Sequence, residues 1–441
     1  MTFPKRAHRI PRSVPVQTMT TRLLVEGQGV FLFRQTDLTT PCVFYFYTAD
    51  AGDGFRVKWT EAAVNVTRIS TEELLEDPNN KTGLTAHQGA YYWFSLDAQH
   101  QTLRAGVGEA RLETKIFEYE FPWATDEERK ANKKFFESIQ SIQIANESAA
   151  VFPLRLLRDP VTTTIAAVVK PMAELTMDMI SQGTYLPKGM LPAAAQQLHD
   201  CIAGKTFTLD TEDFPQFSQA IENSIRNSWG WCYKRLQEKS REFNKDKPNL
   251  DETYLRITLG QNSGDSPGIP YVMEIWPVGH YSPVHNHSAA HAIIRVLHGE
   301  IQVSQFPYLC ADGVEPFAVT PFHKDQITWI SPTLNQTHQL LNRPENATAC
   351  VTIQCYLYDE KDNTHYDYFD YVDSDGKIQQ YEPDSDMDFH DFKERMKLEW
   401  ENRSPPPQAF STVPNPQPVQ PMGWLCCFGG SEHTYPPRSE D

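Results

Sequence analysis

Short apolar runs separated by turn residues make up most of the first part of the chain. Between about Leu24 and Trp123 these runs are rich in β-branched and aromatic residues, and many alternate apolar with polar positions. A period of two is typical of strands with one buried face. The runs are GVFLFRQ, PCVFYFYTA, FRVKWTEAAVNVTRI, AYYWFSLD, TLRAGVGEA and TKIFEYEF. We therefore predict an all-β, sandwich-like module over residues 24–123, after a flexible N-terminus at 1–23.

Helical spacing follows this region. Residues 126–142 place apolar side chains three and four positions apart, which predicts an amphipathic helix within a connector at 124–185. Residues 192–239 show the same spacing and predict two or three further helices.

Beyond residue 250 the pattern returns to short strands. The predicted strands are TYLRITLG, PYVMEIWPV, AHAIIRVLHG, IQVSQFPYL, QITWISP, HQLLN and ACVTIQCYLYD. Strands that follow helices in this order indicate an α+β domain whose body is a β-sandwich or β-barrel. We place this domain at 186–375 and an acidic, proline-rich tail at 376–441. Within the tail, residues 390–401 predict a short helix. The predicted chain is therefore multi-domain.

Composition narrows the classes of function. At 441 residues the chain exceeds one ordinary domain, and 40% hydrophobic residues are enough for packed cores. The formal charge of −17 argues against a general binder of nucleic acid or anionic membrane. From Tyr371 to Asp441 there are 13 acidic and 6 basic residues, so much of this charge belongs to the predicted tail.

The cysteines and the termini bear on localisation. Eight cysteines in a chain of this length do not form a disulfide scaffold, which favours a reducing, cytoplasmic environment. No apolar run approaches the ~20 residues that a transmembrane helix needs. The adjacent Cys426 and Cys427 could be acylated as a peripheral membrane tether, and a disordered tail is the alternative. The basic N-terminus leaves an organelle transit peptide open, although its prolines interrupt a helix.

Histidines carry the candidate chemistry. His285 and His287 are two positions apart at a predicted loop-to-strand junction, so their side chains point to the same face and can share one metal ion. His338 lies in a second segment, Ser331–Asn342.

The spacing around these histidines resembles the cupin barrel. A glycine, five residues, His-X-His, a short gap and a later glycine match its first motif, from Gly279 to Gly299, with Ala292 at the position of the motif's glutamate. The second motif ends in His338, three residues and Asn342, so the resemblance implies His338 as the third ligand. Three neutral histidines would leave the full charge of a divalent ion on the site, which suits an anionic thiolate ligand. Asn335 stands where the pattern prefers glycine, and asparagine tolerates the left-handed turn required there. The resemblance implies an α+β cupin, a β-barrel preceded by helices.

Within the cupins, residues 186–373 resemble the cysteine dioxygenases. Tyr254-Leu-Arg256 is similar to that family's Tyr-X-Arg, Trp276 precedes Gly279 as in the family, and Tyr358 matches its tyrosine near the metal. The resemblance implies Fe²⁺ as cofactor on the three histidines. It also implies that Arg256 binds the substrate carboxylate, that Tyr254 contributes to substrate binding, and that Tyr358 positions substrate or dioxygen.

Two departures from the family bear on Tyr358. Ala292 replaces the cysteine that mammalian members cross-link to the tyrosine, so no thioether can form. Gln354 and Tyr356 replace the serine and histidine that support the tyrosine hydroxyl. The N-terminal strands YYWFSLD and LRAGVG resemble the farnesoic acid methyltransferase-like β domain, which implies no function for this chain.

The sequence thus predicts a non-haem iron(II) dioxygenase that oxidises L-cysteine with O₂ to cysteine sulfinate, in cysteine catabolism. The predicted partners are a small thiol and O₂, without nucleic acid or a transmembrane segment; the partner of the N-terminal module is unknown. Two alternatives stay open. One is a dioxygenase of another small thiol, a mercapto acid or cysteamine, and the other is a non-catalytic metal-binding or ligand-binding cupin.

Overall fold

The computed structural model describes most of the chain between residues 13 and 403. The described ranges are 13–16, 28–34, 38–78, 83–84, 91–145, 154–157, 165–259, 271–288, 290–311, 313–357 and 369–403. The predicted substrate-positioning Tyr358, the paired Cys426 and Cys427, and the proline-rich end of the tail lie outside them.

The N-terminal part is built from strands and one helix. They are β1 Ser13–Val16, β2 Gln28–Arg34, β3 Cys42–Thr48, β4 Gly54–Trp59, β5 Val64–Arg68, β6 Leu74–Leu75, β7 Tyr91–Asp97, β8 Thr102–Val107, β9 Lys115–Glu120, α1 Asp126–Ser138, β10 Ile139–Ile144 and β11 Leu154–Leu157. Their order in the two sheets is β1-β11-β2-β7-β8-β9 and β10-β3-β4-β5-β6.

The two sheets enclose an aromatic core. In β4, Phe55, Val57 and Trp59 are buried while Arg56 and Lys58 between them are exposed, as the period of two requires. Buried aromatic side chains dominate this core; they are Phe31, Phe33, Phe44, Phe46, Phe55, Trp59, Tyr92, Phe94, Phe117 and Phe136. Edge-to-face and tilted packing of these rings adds to the free energy gained from burying their area.

The connector differs from the sequence expectation. Helix α1 begins at a capping box, in which Thr125 and Glu128 bond each other's backbone N–H groups. It ends at Ser138, whereas the predicted helix continued to residue 142. Ile139 and Ile142 instead lie in β10, which pairs with β3 and buries both side chains in the sandwich core. The edge position beside β3 overrides the local helical spacing.

The second part contains the remaining elements. Its strands are β12 Val169–Lys170, β13 Leu186–Pro187, β14 Leu255–Thr258, β15 Tyr271–Trp276, β16 His291–His298, β17 Glu300–Phe306, β18 Ala318–His323, β19 Ile327–Ile330, β20 Thr337–Leu341, β21 Cys350–Leu357, β22 Phe369–Val372, β23 Ile378–Tyr381 and β24 Met387–Asp388. Its helices are α2 Met177–Gln182, α3 Ala193–Ile202, α4 Phe217–Arg226, α5 Trp231–Lys239 and α6 Phe389–Glu401.

An eight-stranded sheet and a three-stranded sheet form the barrel. Their orders are β13-β12-β19-β16-β21-β15-β14-β24 and β18-β17-β20, and a hairpin of β22 and β23 lies beside them. Strand β18 was not predicted. It contains Pro321, which an edge strand tolerates because an edge residue needs no ladder N–H on its outer side.

Alternation along the central strands assigns two roles to the eight-stranded sheet. Leu255 and Ile257 of β14 and Ile275 of β15 pack with helices α3 to α6 in one core. The residues between them, Arg256 and Glu274, line a pocket inside the barrel. The helices therefore cover the outer face, which leaves the inner face able to carry polar side chains.

Helix α6 belongs to the folded part of the chain. The sequence placed it in the acidic tail after residue 375, but Phe392 and Met396 are fully buried in the core beneath α4 and α5. Tyr381 of β23 reaches the barrel pocket. The charged residues around these positions are exposed or partly exposed. The short helix predicted here is therefore amphipathic, and its apolar face packs on the core.

The predicted fold class is confirmed: a β-sandwich module is followed by an α+β part in which helices precede the strands of a β-barrel. The exact domain boundaries stay a prediction, since the described residues up to Glu401 belong to one compact unit. Among the described helices, none has the length and apolar character needed to cross a membrane.

Candidate metal centre

The three predicted histidine ligands converge inside the barrel. His285 and His287 lie in the segment between β15 and β16, and His338 lies in β20. One ring nitrogen of each histidine lies within 4.8 Å of those of the other two. His287 and His338 are buried and His285 is partly exposed. All three line the same pocket.

Backbone hydrogen bonds hold two of these histidines in register. His285 N–H donates to His338 O and His338 N–H donates to His285 O, both at 3.0 Å. Asn286 N–H donates to Asp370 O at 2.9 Å, which attaches the same segment to β22. The histidines are therefore fixed by two neighbouring strands rather than by a free loop.

The second nitrogen of each of two rings is held by a carbonyl. His285 Nδ1 lies 3.0 Å from Pro283 O, and His338 Nδ1 lies 3.3 Å from Asn335 O. A carbonyl only accepts, so each Nδ1 carries the proton and each Nε2 keeps its lone pair. Nε2 is thus the available ligand atom of His285 and of His338.

Burial keeps the three imidazoles neutral. It lowers the pKa of His285 to about 4 and the pKa of His338 to about 3. Burial, reinforced by the other two histidines, lowers the pKa of His287 well below its usual value. A neutral imidazole is the form that binds metal, so at pH 7 no proton has to leave before binding.

The donor set fits a divalent transition metal. His287 Nε2 lies 3.2 Å from His338 Nε2. The lone pair of His338 Nε2 therefore points toward the ring nitrogen of His287, which brings two ligand atoms close together. Among the described residues, His287 Nδ1 has no hydrogen-bond partner. Three neutral nitrogens suit iron, zinc, copper or nickel, and the group could hold one such ion.

The position of the missing cupin glutamate is apolar. Ala292 is fully buried in a small cluster with Ile294, Ile330 and Tyr356, and it pairs with Tyr356 across β16 and β21. The Tyr356 ring stacks on His287 at 5.4 Å between centroids and 24° between planes. An aromatic ring thus lies beside the ligand group where the motif carries a carboxylate.

Arg256 and Tyr254 both line the pocket, and Arg256 has a partner within the chain. Their roles in substrate binding stay a prediction. Arg256 Nη1 donates to Glu274 Oε1 at 2.9 Å, and both side chains are buried. The Glu274 carboxylate raises the pKa of Arg256, although burial opposes this, so the guanidinium stays charged. Tyr254 stacks on Trp276 at 4.3 Å and 19°.

Gln354 and Tyr356 extend the Arg256–Glu274 ion pair into one hydrogen-bond network. Tyr356 Oη donates to Gln354 Oε1, and Gln354 Nε2 donates to Glu274 Oε2. Sequence reasoning missed Glu274, although a signal was present. It is the one charged residue in the apolar strand YVMEIW and lies directly opposite Arg256 in the ladder of β14 and β15.

Aromatic rings close the rest of the pocket. They come from the loop after α5 and from β22 and β23, regions that the sequence did not connect with the site; these residues are Phe243, Phe369, Tyr371 and Tyr381. These rings enclose a narrow cavity, which restricts the site to small ligands.

Comparison with known proteins gives distant cupin structures. No family model matches the chain. A cupin domain of Cnp3 from Schizosaccharomyces pombe is 14% identical, with 24% of this chain and 65% of that one covered and a TM-score of 0.19. A cupin-like protein from Thermotoga maritima is 13% identical, with 27% and 77% covered and a TM-score of 0.21.

A third similar structure is the DMSP lyase DddQ from Ruegeria pomeroyi. It is 14% identical, with 25% of this chain and 49% of that chain covered and a TM-score of 0.19. At these values the matches carry no argument about function. The interpretation of this chain therefore depends on the strands and side chains described above.

Proposed function

We propose that this chain is a non-haem iron(II) dioxygenase of a small thiol, with L-cysteine as the expected substrate. The observation that carries the proposal is the convergence of three neutral histidines in a small pocket, where no described carboxylate joins the ligand group. His285, His287 and His338 would hold the ion.

The charge of the site favours a thiol over a neutral ligand. Three neutral imidazoles leave the ion's two positive charges uncompensated, which lowers the pKa of a thiol beside it. When bound, ferrous iron would supply thiolate coordination and the activation of O₂. The overall reaction is balanced without another reductant: a thiol and one O₂ give one sulfinic acid, in which the sulfur is oxidised and both oxygen atoms are retained.

The pocket walls would orient the substrate and exclude water. The stacked rings of Tyr254 and Trp276 form one wall, and Phe369 contacts His287 with ring centroids 4.6 Å apart. Such walls lower the local dielectric and strengthen the interactions of any charged group that enters. A guanidinium carries five N–H donors, of which the Glu274 bond uses one, so Arg256 retains donors for a substrate carboxylate.

One observation favours a second candidate substrate, an aminothiol without a carboxylate such as cysteamine. The Arg256–Glu274 pair has no net charge, so a substrate carboxylate has to share Arg256 with Glu274. An ammonium group instead finds the Glu274 carboxylate on the pocket wall. In this case Arg256 stays paired in the absence of any substrate carboxylate, and no buried charge is left alone.

The test is oxygen uptake by the iron-loaded protein with cysteine, 3-mercaptopropionate and cysteamine, each with quantified sulfinate. We expect uptake with at least one thiol, abolished in His338→Ala and unchanged in His323→Gln, whose side chain is 60% exposed. A preference for cysteine or the mercapto acid supports carboxylate binding by Arg256, and a preference for cysteamine supports the second candidate. No uptake with any of the three thiols would contradict the proposal and favour a non-catalytic cupin.

A further inference from the structure

A loop of the N-terminal sandwich reaches the barrel directly after β8. Gly108 has φ +88°, and a side chain at this position would meet Pro307 O at 2.4 Å. Only glycine permits both the backbone conformation and this close approach. The next residue, Glu109, donates its N–H to the same Pro307 O at 3.1 Å. The loop is therefore docked beside the end of β17 by its backbone.

The Glu109 side chain clamps the segment that leads to His338. Its Oε2 accepts from Asn335 N–H at 2.8 Å, and its Oε1 accepts from Gln336 N–H at 2.9 Å. Both carboxylate oxygens thus bond to two successive backbone amides of the barrel. Burial raises the pKa of Glu109 to about 7, so the carboxylate is fully ionised only above that pH. In the ionised form its hydrogen bonds are about twice as strong as neutral ones.

Arg111 holds the same segment from the side. Its side chain is only 3% exposed, and its Nη1 donates to Asn335 Oδ1 at 2.6 Å. Its Nε donates to Glu113 Oε2 at 2.9 Å, which fixes the orientation of the guanidinium plane. Asn335 of the barrel is therefore bonded both by the Glu109 carboxylate and by the Arg111 guanidinium of this loop.

Asn335 in turn contacts the proposed metal ligand His338. Its carbonyl oxygen accepts from His338 Nδ1, the bond that leaves Nε2 as the ligand atom. Its side-chain Nδ2 donates to Trp329 O at 3.0 Å, and its φ of +62° is the left-handed conformation expected from the sequence. The backbone N–H, the carbonyl oxygen and both side-chain polar atoms of Asn335 are all engaged.

We propose that Glu109 and Arg111 of the N-terminal sandwich are positioning residues for the metal ligand His338. They act through Asn335, whose carbonyl fixes the His338 ring and its tautomer. The sandwich module thereby has a defined role, which is to complete the outer shell of a metal site that lies in the barrel. The proposal requires the histidine metal site but is independent of which reaction the site catalyses.

The Glu109 and Arg111 contacts are expected to affect metal affinity more than the stability of the contact between sandwich and barrel. A buried ion pair adds little net stability, because desolvation offsets most of its attraction. Groups that orient a metal-bound histidine have a larger effect on the metal, and their loss weakens metal binding by about 10–100-fold. The Glu109–Arg111 contacts end on the segment that carries a ligand, where this effect applies.

The test compares two carboxylates of the sandwich in the 441-residue protein. Glu109→Gln removes one of the paired acceptors, since an amide offers a single oxygen. Glu118→Gln is the matched control, because Glu118 pairs with Arg104 within the sandwich and does not contact the 335–336 segment. Both variants and the wild type are titrated with Co²⁺ below their unfolding temperatures and at a pH above 7, where the Glu109 carboxylate is ionised. Affinity and the visible ligand-field spectrum are recorded.

We expect Glu109→Gln to bind Co²⁺ about 10–100-fold more weakly with a changed spectrum, and Glu118→Gln to match the wild type. Asn335→Gly is the second variant if Glu109→Gln does not fold, since glycine keeps the left-handed backbone while removing the amide that Arg111 holds. It should also weaken Co²⁺ binding. Wild-type affinity and spectrum in either folded variant, or an equal loss in Glu118→Gln, would overturn the proposal. Thiol oxidation plays no part in this readout, so its failure would leave the result intact.

Discussion

The sandwich and the barrel use the same alternation of side chains in opposite ways. In the sandwich the inner faces of both sheets are apolar and fill the space between them with rings, such as Phe33 and Phe44 at 4.7 Å between centroids. In the barrel the eight-stranded sheet turns many of its apolar residues outward to helices α3 to α6. Part of its inner face is consequently free to carry Arg256, Glu274 and Gln354.

This difference teaches where a polar site can be placed at low cost to the fold. The sandwich depends on its interior for stability, whereas the barrel has a second core outside the sheet. Substitutions inside the sandwich should therefore act on stability, and substitutions inside the barrel pocket should act on metal and ligand binding. Measuring stability and metal binding in the same variants tests this difference between the sandwich and the barrel.

The largest expected effect is the loss of the metal site on removing one ligand. His338→Ala should abolish stoichiometric binding of Fe²⁺ or Co²⁺, because two histidines alone cannot replace the convergent set of three. Its thermal unfolding should stay close to that of the metal-free wild type. Metal content after dialysis and the unfolding temperature measure the two effects. Stoichiometric metal in this variant would mean that the ligand group lies elsewhere.

A core substitution in the sandwich should show the opposite behaviour. Phe44→Ala removes a fully buried ring and should lower the free energy of unfolding by about 3–5 kcal/mol. Co²⁺ affinity, measured well below the unfolding temperature, should stay at the wild-type value because Phe44 packs on Phe31 and Phe33 in the sandwich core and does not line the pocket. Urea denaturation and Co²⁺ titration check the pair of outcomes. A large loss of affinity with little loss of stability would refute the contrast.

The stability of the metal-free protein should depend on the neutral histidines. His338 has a folded pKa of about 3 and an ordinary value near 6.5 when unfolded, so below pH 6.5 the unfolded state binds more protons. Its contribution to stability is complete above pH 6.5 and is lost as the pH falls toward 3. From pH 6.5 to 4.5, wild type should lose about 2 kcal/mol more than His338→Gln.

Comparison of the two proteins in urea at each pH is essential for this measurement. Burial raises the pKa of Glu109 and of Glu252 to about 7, and both groups change stability in the opposite direction over the same range. Their effects are common to wild type and variant and cancel in the difference. An identical pH dependence in the two proteins would show that His338 is not buried in its neutral form.

The smallest expected effect concerns substrate preference. Glu274→Gln removes the carboxylate that pairs with Arg256 while keeping a similar shape, so it should lower KM for cysteine and raise KM for cysteamine. One lost charge-assisted contact corresponds to about a tenfold change in their ratio. Steady-state oxygen uptake with both thiols measures it. An unchanged ratio would indicate that the substrate does not reach the Arg256–Glu274 pair.

Much of the fold could be predicted because local patterns agree with the final structure. The strands with strict alternation and the helices before the barrel were found from sequence. The errors occurred where tertiary contacts override local signals. Ile139 and Ile142 follow a helical pattern but extend a sheet. The helix that carries Phe392 and Met396 was predicted, but it was assigned to the charged tail, whereas it packs on α4 and α5. Edge strand β18 was missed since its sequence contains a proline.

The convergence of His285, His287 and His338 could be predicted because the spacing within each of their two segments resembles a cupin motif. Glu274 and the loop at Glu109 and Arg111 could not, because their meaning depends on pairing between distant parts of the chain. Glu109 and Asn335 are 226 positions apart in sequence, yet they are joined by a hydrogen bond of 2.8 Å. The predicted role of Tyr358 stays a prediction, as that residue lies outside the described ranges.

The most direct test of the central claim is the fate of labelled dioxygen. The iron-loaded protein is given a thiol under ¹⁸O₂, with cysteine and cysteamine in separate reactions, and the products are analysed by mass spectrometry. We predict a sulfinate that carries two ¹⁸O atoms, formed in equal amount to the O₂ consumed and absent with His338→Ala. Disulfide as the only product, or a sulfinate with oxygen from water, would contradict a thiol dioxygenase.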